Sequence, residues 1–317
     1  MRVVIDKGIP FLDGVFGADI EAIYLAPEDI DANVVHDADA LIVRTRTQIN
    51  EDLLDGSKVR FVATATIGFD HIDTQYCADN RIHWVSCPGC NAQAVCDYVE
   101  EVLCAMRSNE RGKTIGVVGY GHVGKLVAAM AEKNGYRVLV SDPPLGIGKP
   151  VAEIASECDI ITFHTPLTRE GDHPTYHLCN ANVLARCKPN VLLINAARGG
   201  VIDEQALLSY LRTPNGQTMQ LAIDCWEGEP ELNKDLLHKV DLASIHIAGY
   251  SIDGKMRASE MCLHAFCEFF SLPILSINKK SVPLHGDSES GWINRLSEQL
   301  KAHPEQFEQM RKLYKLR

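Results

Sequence analysis

An apolar strand that runs into three spaced glycines and then a helix constrains this chain more than any other feature. Residues 114–118 form such a strand, and Gly119, Gly121 and Gly124 follow with GxGxxG spacing before a helix that begins near His122. The first glycine permits a tight turn. The second lets backbone approach a pyrophosphate, and the third lets the helix pack on the strand. The free N–H groups and positive dipole end of that helix face the same point, so His122 and Val123 fall within the expected phosphate cradle. A second strand, 136–142, ends about 20 residues further on in Asp142. A carboxylate there accepts from a ribose 2′-hydroxyl and repels a 2′-phosphate, which favours NAD over NADP. A glycine turn in another α/β fold is the alternative; strand, glycines and acid together favour a dinucleotide.

With 317 residues the chain exceeds one ordinary core, and two domains are expected. Strands are predicted at 3–6, 20–25, 38–44, 59–66 and 82–85, with helices or turns near 10–17, 50–55 and 70–79. A helix follows over 92–107, with Val95, Val99, Val102, Leu103 and Met106 on one face. Beyond the glycine turn, strands at 137–141, 159–163, 191–194, 219–223 and 242–245 alternate with helices. That alternation predicts a doubly wound parallel sheet. Further helices are expected over 255–270, 291–302 and 304–315. The fold class is α/β: a Rossmann NAD domain over 93–260 and a smaller flavodoxin-like α/β substrate domain over 1–92 and 261–317.

A net charge of −11 disfavours nucleic acid and anionic membrane surfaces. No run of apolar residues is long enough to span a bilayer, and no export signal is visible at the start. Eleven scattered cysteines then read as reduced thiols in a cytoplasm. Cys87 and Cys90 form a lone CxxC with no second pair to complete a metal site, so no metal is expected. His173 and His177 flank Pro174 and read as solvated loop residues.

Three further segments place a reactive side chain just after a strand, where open α/β sheets bind ligands. Arg198 precedes Gly199 and Gly200 and can clamp a carboxylate with two parallel hydrogen bonds; alternatively it pairs with an acid such as Asp203. Glu229 lies in an acidic loop that could simply be solvated. His246 ends an apolar strand and could be structural. It becomes an acid–base group if Glu229 reaches it, since a carboxylate fixes the ring's tautomer and favours the imidazolium.

The order of these motifs resembles the D-2-hydroxyacid dehydrogenase family. The resemblance rests on TATIGFDHID (64–73), NAARGGVIDE (195–204), AIDCWEGEP (222–230) and HIAGY (246–250), and covers about residues 1–272. It implies an enzyme with NAD as cofactor and Arg198, Glu229 and His246 as catalytic residues. It implies NAD contacts from Asp142, Thr165, Pro166, Ala196, Ala197, Arg198, Asp224 and Gly249 besides the glycine turn. Three segments, 88–99, 163–178 and 246–255, are similar to the branch that oxidises a phosphorylated 2-hydroxy acid for vitamin B6 synthesis. That branch implies substrate contacts from Thr45, Thr66, Gly68 and Tyr250. Arg44, Arg46 and Lys255 are candidate phosphate ligands; the two arginines can equally pair with surface acids. The family implies a homodimer, although the part after Leu272 is shorter than its usual third domain. The alternatives are another 2-hydroxy acid, phosphorylated or not, and an NAD-sensing binding protein.

Overall fold

The computed structural model describes residues 1–107, 112–279 and 291–314. They divide into two compact units. The first is built on Met1–Asn91 and the long helix Ile252–Phe269. Its strands are β1 (Arg2–Asp6), β2 (Glu21–Leu25), β3 (Ala40–Val43), β4 (Phe61–Thr64) and β5 (His83–Val85). They form one parallel sheet in the order β2-β1-β3-β4-β5, a flavodoxin-like arrangement. The strand period of two sorts the core. Val3, Ile5, Ile42, Phe61 and Ala63 pack against Ala258, Cys262, Leu263 and Phe266 of the long helix. Val4, Leu41, Val43 and Val62 form the other face.

The second unit is built on Ala92–Tyr250. Its strands are β6 (Thr114–Val118), β7 (Arg137–Asp142), β8 (Ile147–Gly148), β9 (Ile160–Phe163), β10 (Leu192–Asn195), β11 (Gln220–Ile223) and β12 (Leu242–Ala243). Their order is β12-β11-β10-β9-β6-β7-β8. All pairs are parallel except β7 with β8. This short antiparallel edge carries no periodic signal in the sequence. It depends on a left-handed turn at Gly146 and on a close approach at Gly148, where an added Cβ would lie 1.9 Å from the Val140 carbonyl oxygen. Elsewhere helices cover both faces of the sheet, the doubly wound Rossmann pattern.

Helices begin where side chains satisfy their first N–H groups. Asp203 accepts from Ala206, Asn233 from Leu236, and Ser251 from Gly254.

The tail differs from its expected grouping. Leu300, Phe307 and Met310 are buried in the core of the second unit, and Ser297 Oγ accepts from the Ala243 N–H at 2.9 Å. Apolar burial therefore joins these two helices to β12 rather than to the first unit. Residue 315 of the expected last helix lies outside the described residues. Among the described residues no helix is long and apolar enough to cross a membrane.

Candidate active site

The parallel strands of the second unit aim their carboxyl ends one way, and every expected residue of this unit follows one of them. The glycine turn follows β6, Asp142 ends β7, and Thr165 and Pro166 follow β9. Ala196, Ala197 and Arg198 follow β10, Asp224 follows β11, and His246, Gly249 and Tyr250 follow β12. Strand order reverses around β6, where β7 lies on one side and β9 on the other. Such a switch point is where these sheets hold ligands.

The turn fits a dinucleotide. Gly119 has φ +92°, and a Cβ there would meet the His164 backbone at 2.7 Å. A Cβ on Gly124 would lie 1.9 Å from the Gly119 carbonyl oxygen, whereas Gly121 faces open space. The helix His122–Lys133 starts with no side-chain cap, which leaves its first N–H groups for a ligand. Beside the turn, Thr165 Oγ1 and His164 Nδ1 are buried without a partner. Burial pushes the His164 imidazole down to about 3, so it stays neutral. Asp142 accepts from the Tyr120 N–H at 2.6 Å, which ties the glycine turn to the end of β7. Gly124→Ala should weaken NADH binding by about tenfold or more, because overpacking of this kind costs about 1–3 kcal/mol. Fluorescence titration with NADH checks this.

Glu229 and His246 meet. His246 Nδ1 lies 2.8 Å from Glu229 Oε2, and Glu229 Oε1 accepts from the Trp226 N–H at 2.8 Å. The carboxylate is thus held by its own loop and holds the ring in turn. With its Nδ1–H donated to Glu229, neutral His246 offers its Nε2 lone pair as a base. Burial opposes the charged ring; Cys225 beside it and the Glu229 carboxylate outweigh burial, and the net direction is well above an ordinary histidine.

The backbone under His246 is unusual. Its φ is +57°, a left-handed value that non-glycine residues adopt only when surroundings enforce it. Asp224 supplies the enforcement. It is fully buried and accepts from the Ile247 and Ala248 N–H groups at 2.9 Å each and from Ser244 Oγ at 2.7 Å. Its carbonyl accepts the His246 N–H at 3.0 Å. The acidic loop is therefore no solvated segment.

Arg198 reaches the same region through backbone. Asn195, to which the sequence reading assigned no role, donates to the Arg198 carbonyl at 3.1 Å and to that of Cys225 at 2.9 Å. A Cβ on Gly199 would lie 1.9 Å from the Trp226 carbonyl oxygen, so only glycine lets these loops touch. The Arg198 guanidinium donates to its neighbour's carbonyl at Ala197 and makes no ion pair with Asp203, which caps a helix.

His177 corrects the expectation of a solvated loop. Its Nε2 lies 3.0 Å from Glu227 Oε1, and its ring stacks on Tyr176 with centroids 3.9 Å apart. Glu204 accepts the Glu227 N–H at 2.7 Å, and burial pushes its carboxyl up to about 7. These acids fasten the loop that bears Glu229. Their sequence signal is weak, because a single charged side chain carries no periodicity.

In the first unit, Thr66 Oγ1 donates to the Gly68 carbonyl at 2.9 Å, Thr64 Oγ1 to Thr66 at 2.7 Å, and His71 Nε2 to Thr64 at 3.0 Å. That chain stiffens the segment after β4. Arg44 and Thr45 follow β3. Arg44 forks onto buried Asp6 with contacts of 2.7 and 2.9 Å, and Arg46 is exposed. Lys255 is half-buried, and burial and the charge of Arg44 both lower its pKa. Two cations held near one another favour an anion. Cys87 and Cys90 are buried, with Cys87 Sγ 3.6 Å from Cys262 Sγ.

The family model for the D-isomer specific 2-hydroxyacid dehydrogenase, NAD binding domain, matches residues 100–248. Over its full length the chain is 43% identical to an erythronate-4-phosphate dehydrogenase of Bacteroides thetaiotaomicron and covers 97% of it. It is also 43% identical to such an enzyme of Marinobacter nauticus, over 86% of this chain and 74% of that one. Among solved structures, the NAD+-bound 3-phosphoglycerate dehydrogenase of Entamoeba histolytica matches with TM-score 0.72 and 25% identity, over 86% of this chain and 95% of that one.

Proposed function

The chain belongs to the erythronate-4-phosphate dehydrogenases among the D-isomer specific 2-hydroxyacid dehydrogenases, which are NAD-dependent enzymes, and on that premise we propose that it oxidises 4-phospho-D-erythronate to the 2-keto acid 3-hydroxy-2-oxo-4-phosphooxybutanoate for pyridoxal 5′-phosphate synthesis. The observation that carries the reading is the 2.8 Å contact between His246 and Glu229 at the carboxyl end of the sheet.

The second unit serves the cofactor and the acid–base step. The glycine turn, the helix start at His122, Thr165 and Asp142 would hold NAD, which when bound takes up a hydride. Arg198 clamps the substrate carboxylate, and the N–H groups around Ile67 and Gly68 take its other oxygen. Neutral His246 accepts the C2 hydroxyl proton at Nε2 as the C2 hydrogen leaves with its electron pair. Glu229 stabilises the imidazolium so formed. Thr45, Thr66 and Tyr250 hold substrate oxygens, and Lys255, with Arg44 and Arg46, meets the phosphate. In the same reading the enzyme is a cytoplasmic homodimer.

NADH absorbance with a panel of 2-hydroxy acids tests this. We expect 4-phosphoerythronate to be favoured over 3-phosphoglycerate and over unphosphorylated erythronate; NADH binding without turnover of any of them would refute an enzyme. Lys255→Met should raise KM for the phosphorylated acid by about tenfold, the worth of one charge-assisted contact, and leave the unphosphorylated analogue nearly unchanged. Equal effects on both would remove Lys255 from the phosphate site.

A further inference from the structure

Arg311 sits on the helix Phe307–Leu313, in a tail that no motif tied to chemistry. Phe307 and Met310 anchor that helix in the core of the second unit, so Arg311 is presented from a docked surface. Its Nε donates to Tyr250 Oη at 3.1 Å, and its guanidinium carbon lies 5.7 Å from the centre of the Tyr250 ring. Its Nη1 lies 3.4 Å from Glu308 Oε1. Tyr314 meets the Tyr250 ring edge-on, with centroids 6.5 Å apart. The Arg311 side chain is 28% exposed and feels the charge of Glu229, the partner of His246. Removing a guanidinium from water is costly unless its donors and its charge are answered. Here the answers come from Tyr250, from Glu308 and from the acid of the His246–Glu229 pair.

From this geometry, and resting on the function proposed above, we propose that Arg311 is a positioning residue that fixes the Tyr250 hydroxyl for substrate, so that the C-terminal helix completes the active site from within the same chain. A guanidinium has no acceptor, so Tyr250 Oη accepts in this contact. Donation from a cation polarises the phenol and strengthens its own O–H as a donor to an anionic oxygen. It also restricts the ring to one place, which lowers the cost of ordering it when substrate binds.

The test is a double-substitution cycle on the full-length protein with Arg311→Gln, Tyr250→Phe and both together. Arg311→Gln should raise KM for 4-phosphoerythronate by about tenfold, with kcat changed by less than about threefold and with NADH affinity and melting temperature near wild type. In the Tyr250→Phe background the same change should add no further loss, since its route is already gone. Arg311→Lys, which keeps charge and a donor, should recover part of the KM. An unchanged KM in Arg311→Gln overturns the proposal. Full additivity with Tyr250→Phe also overturns it, as does a parallel fall in NADH binding and melting temperature, which would mark a merely structural contact. If wild type prefers another acid of the panel, the substrate assignment falls and the cycle run on that acid decides the role of Arg311. No turnover of any acid by wild type overturns both.

Discussion

His246→Ala should lower kcat for hydroxy-acid oxidation by about 10²–10⁴, the usual worth of a positioned proton acceptor. NADH affinity should remain, because the glycine turn follows β6 and His246 follows β12, with three strands between them. Glu229→Gln should cost less and also change the pH dependence. Glu229 helps to hold the imidazolium, and the His246 pKa lies well above the ordinary value. Oxidation needs the neutral ring, so kcat/KM should rise with pH through that elevated pKa. Reduction needs the imidazolium and should fall with pH through the same value. Without the carboxylate the imidazolium is less favoured, and the acid limb of oxidation should move to lower pH by about one unit or more. The same sign holds for stability. A raised folded-state pKa gives stability that is present at low pH and is lost as pH rises through it, so Glu229→Gln should be felt most on the acid side. Stopped-flow rates and pH profiles of the two variants check these outcomes, and an unshifted acid limb in Glu229→Gln would dissolve the pair.

Asp224→Ala should lower stability by about 3–5 kcal/mol, the cost of stripping a buried charged acceptor from its donors. Two backbone N–H groups and the Ser244 hydroxyl would lose their partner in the buried interior. The melting temperature should fall by about 10 °C, measured by calorimetry at constant NADH. Activity should fall further than the unfolded fraction explains. The left-handed backbone at His246 persists only while Ile247 and Ala248 are held, and its release would swing the imidazole away from Glu229. A variant of normal stability and normal kcat would make Asp224 a bystander.

Periodicity made most of the fold legible. The strands of both sheets and the helix Ala92–Arg107 fall close to their expected places, because alternation by two and by 3.6 follows from side-chain direction alone. The short helices after β9 and the β8 edge carry too few residues for a period to register. At the site, glycine spacing pointed to the turn because only a residue without Cβ can pass there, as the 1.9 Å approach at Gly124 shows. Asn195, His177, Glu204 and Arg311 carried no such mark. Their roles come from partners distant in the chain, and a single polar residue looks alike whether solvated or committed.

Residue order alone pointed to two α/β units, a glycine turn with dinucleotide-type spacing and the residue types that surround it, since local sterics and periodic burial are properties of neighbouring residues. Packing between distant segments is what carries Glu229 to His246, sets Asp224 to hold that loop, and brings the guanidinium of the C-terminal helix to Tyr250. Such contacts join residues 17, 23 or 61 positions apart. Their free energy exists only once apolar cores have packed the strands and helices that carry them.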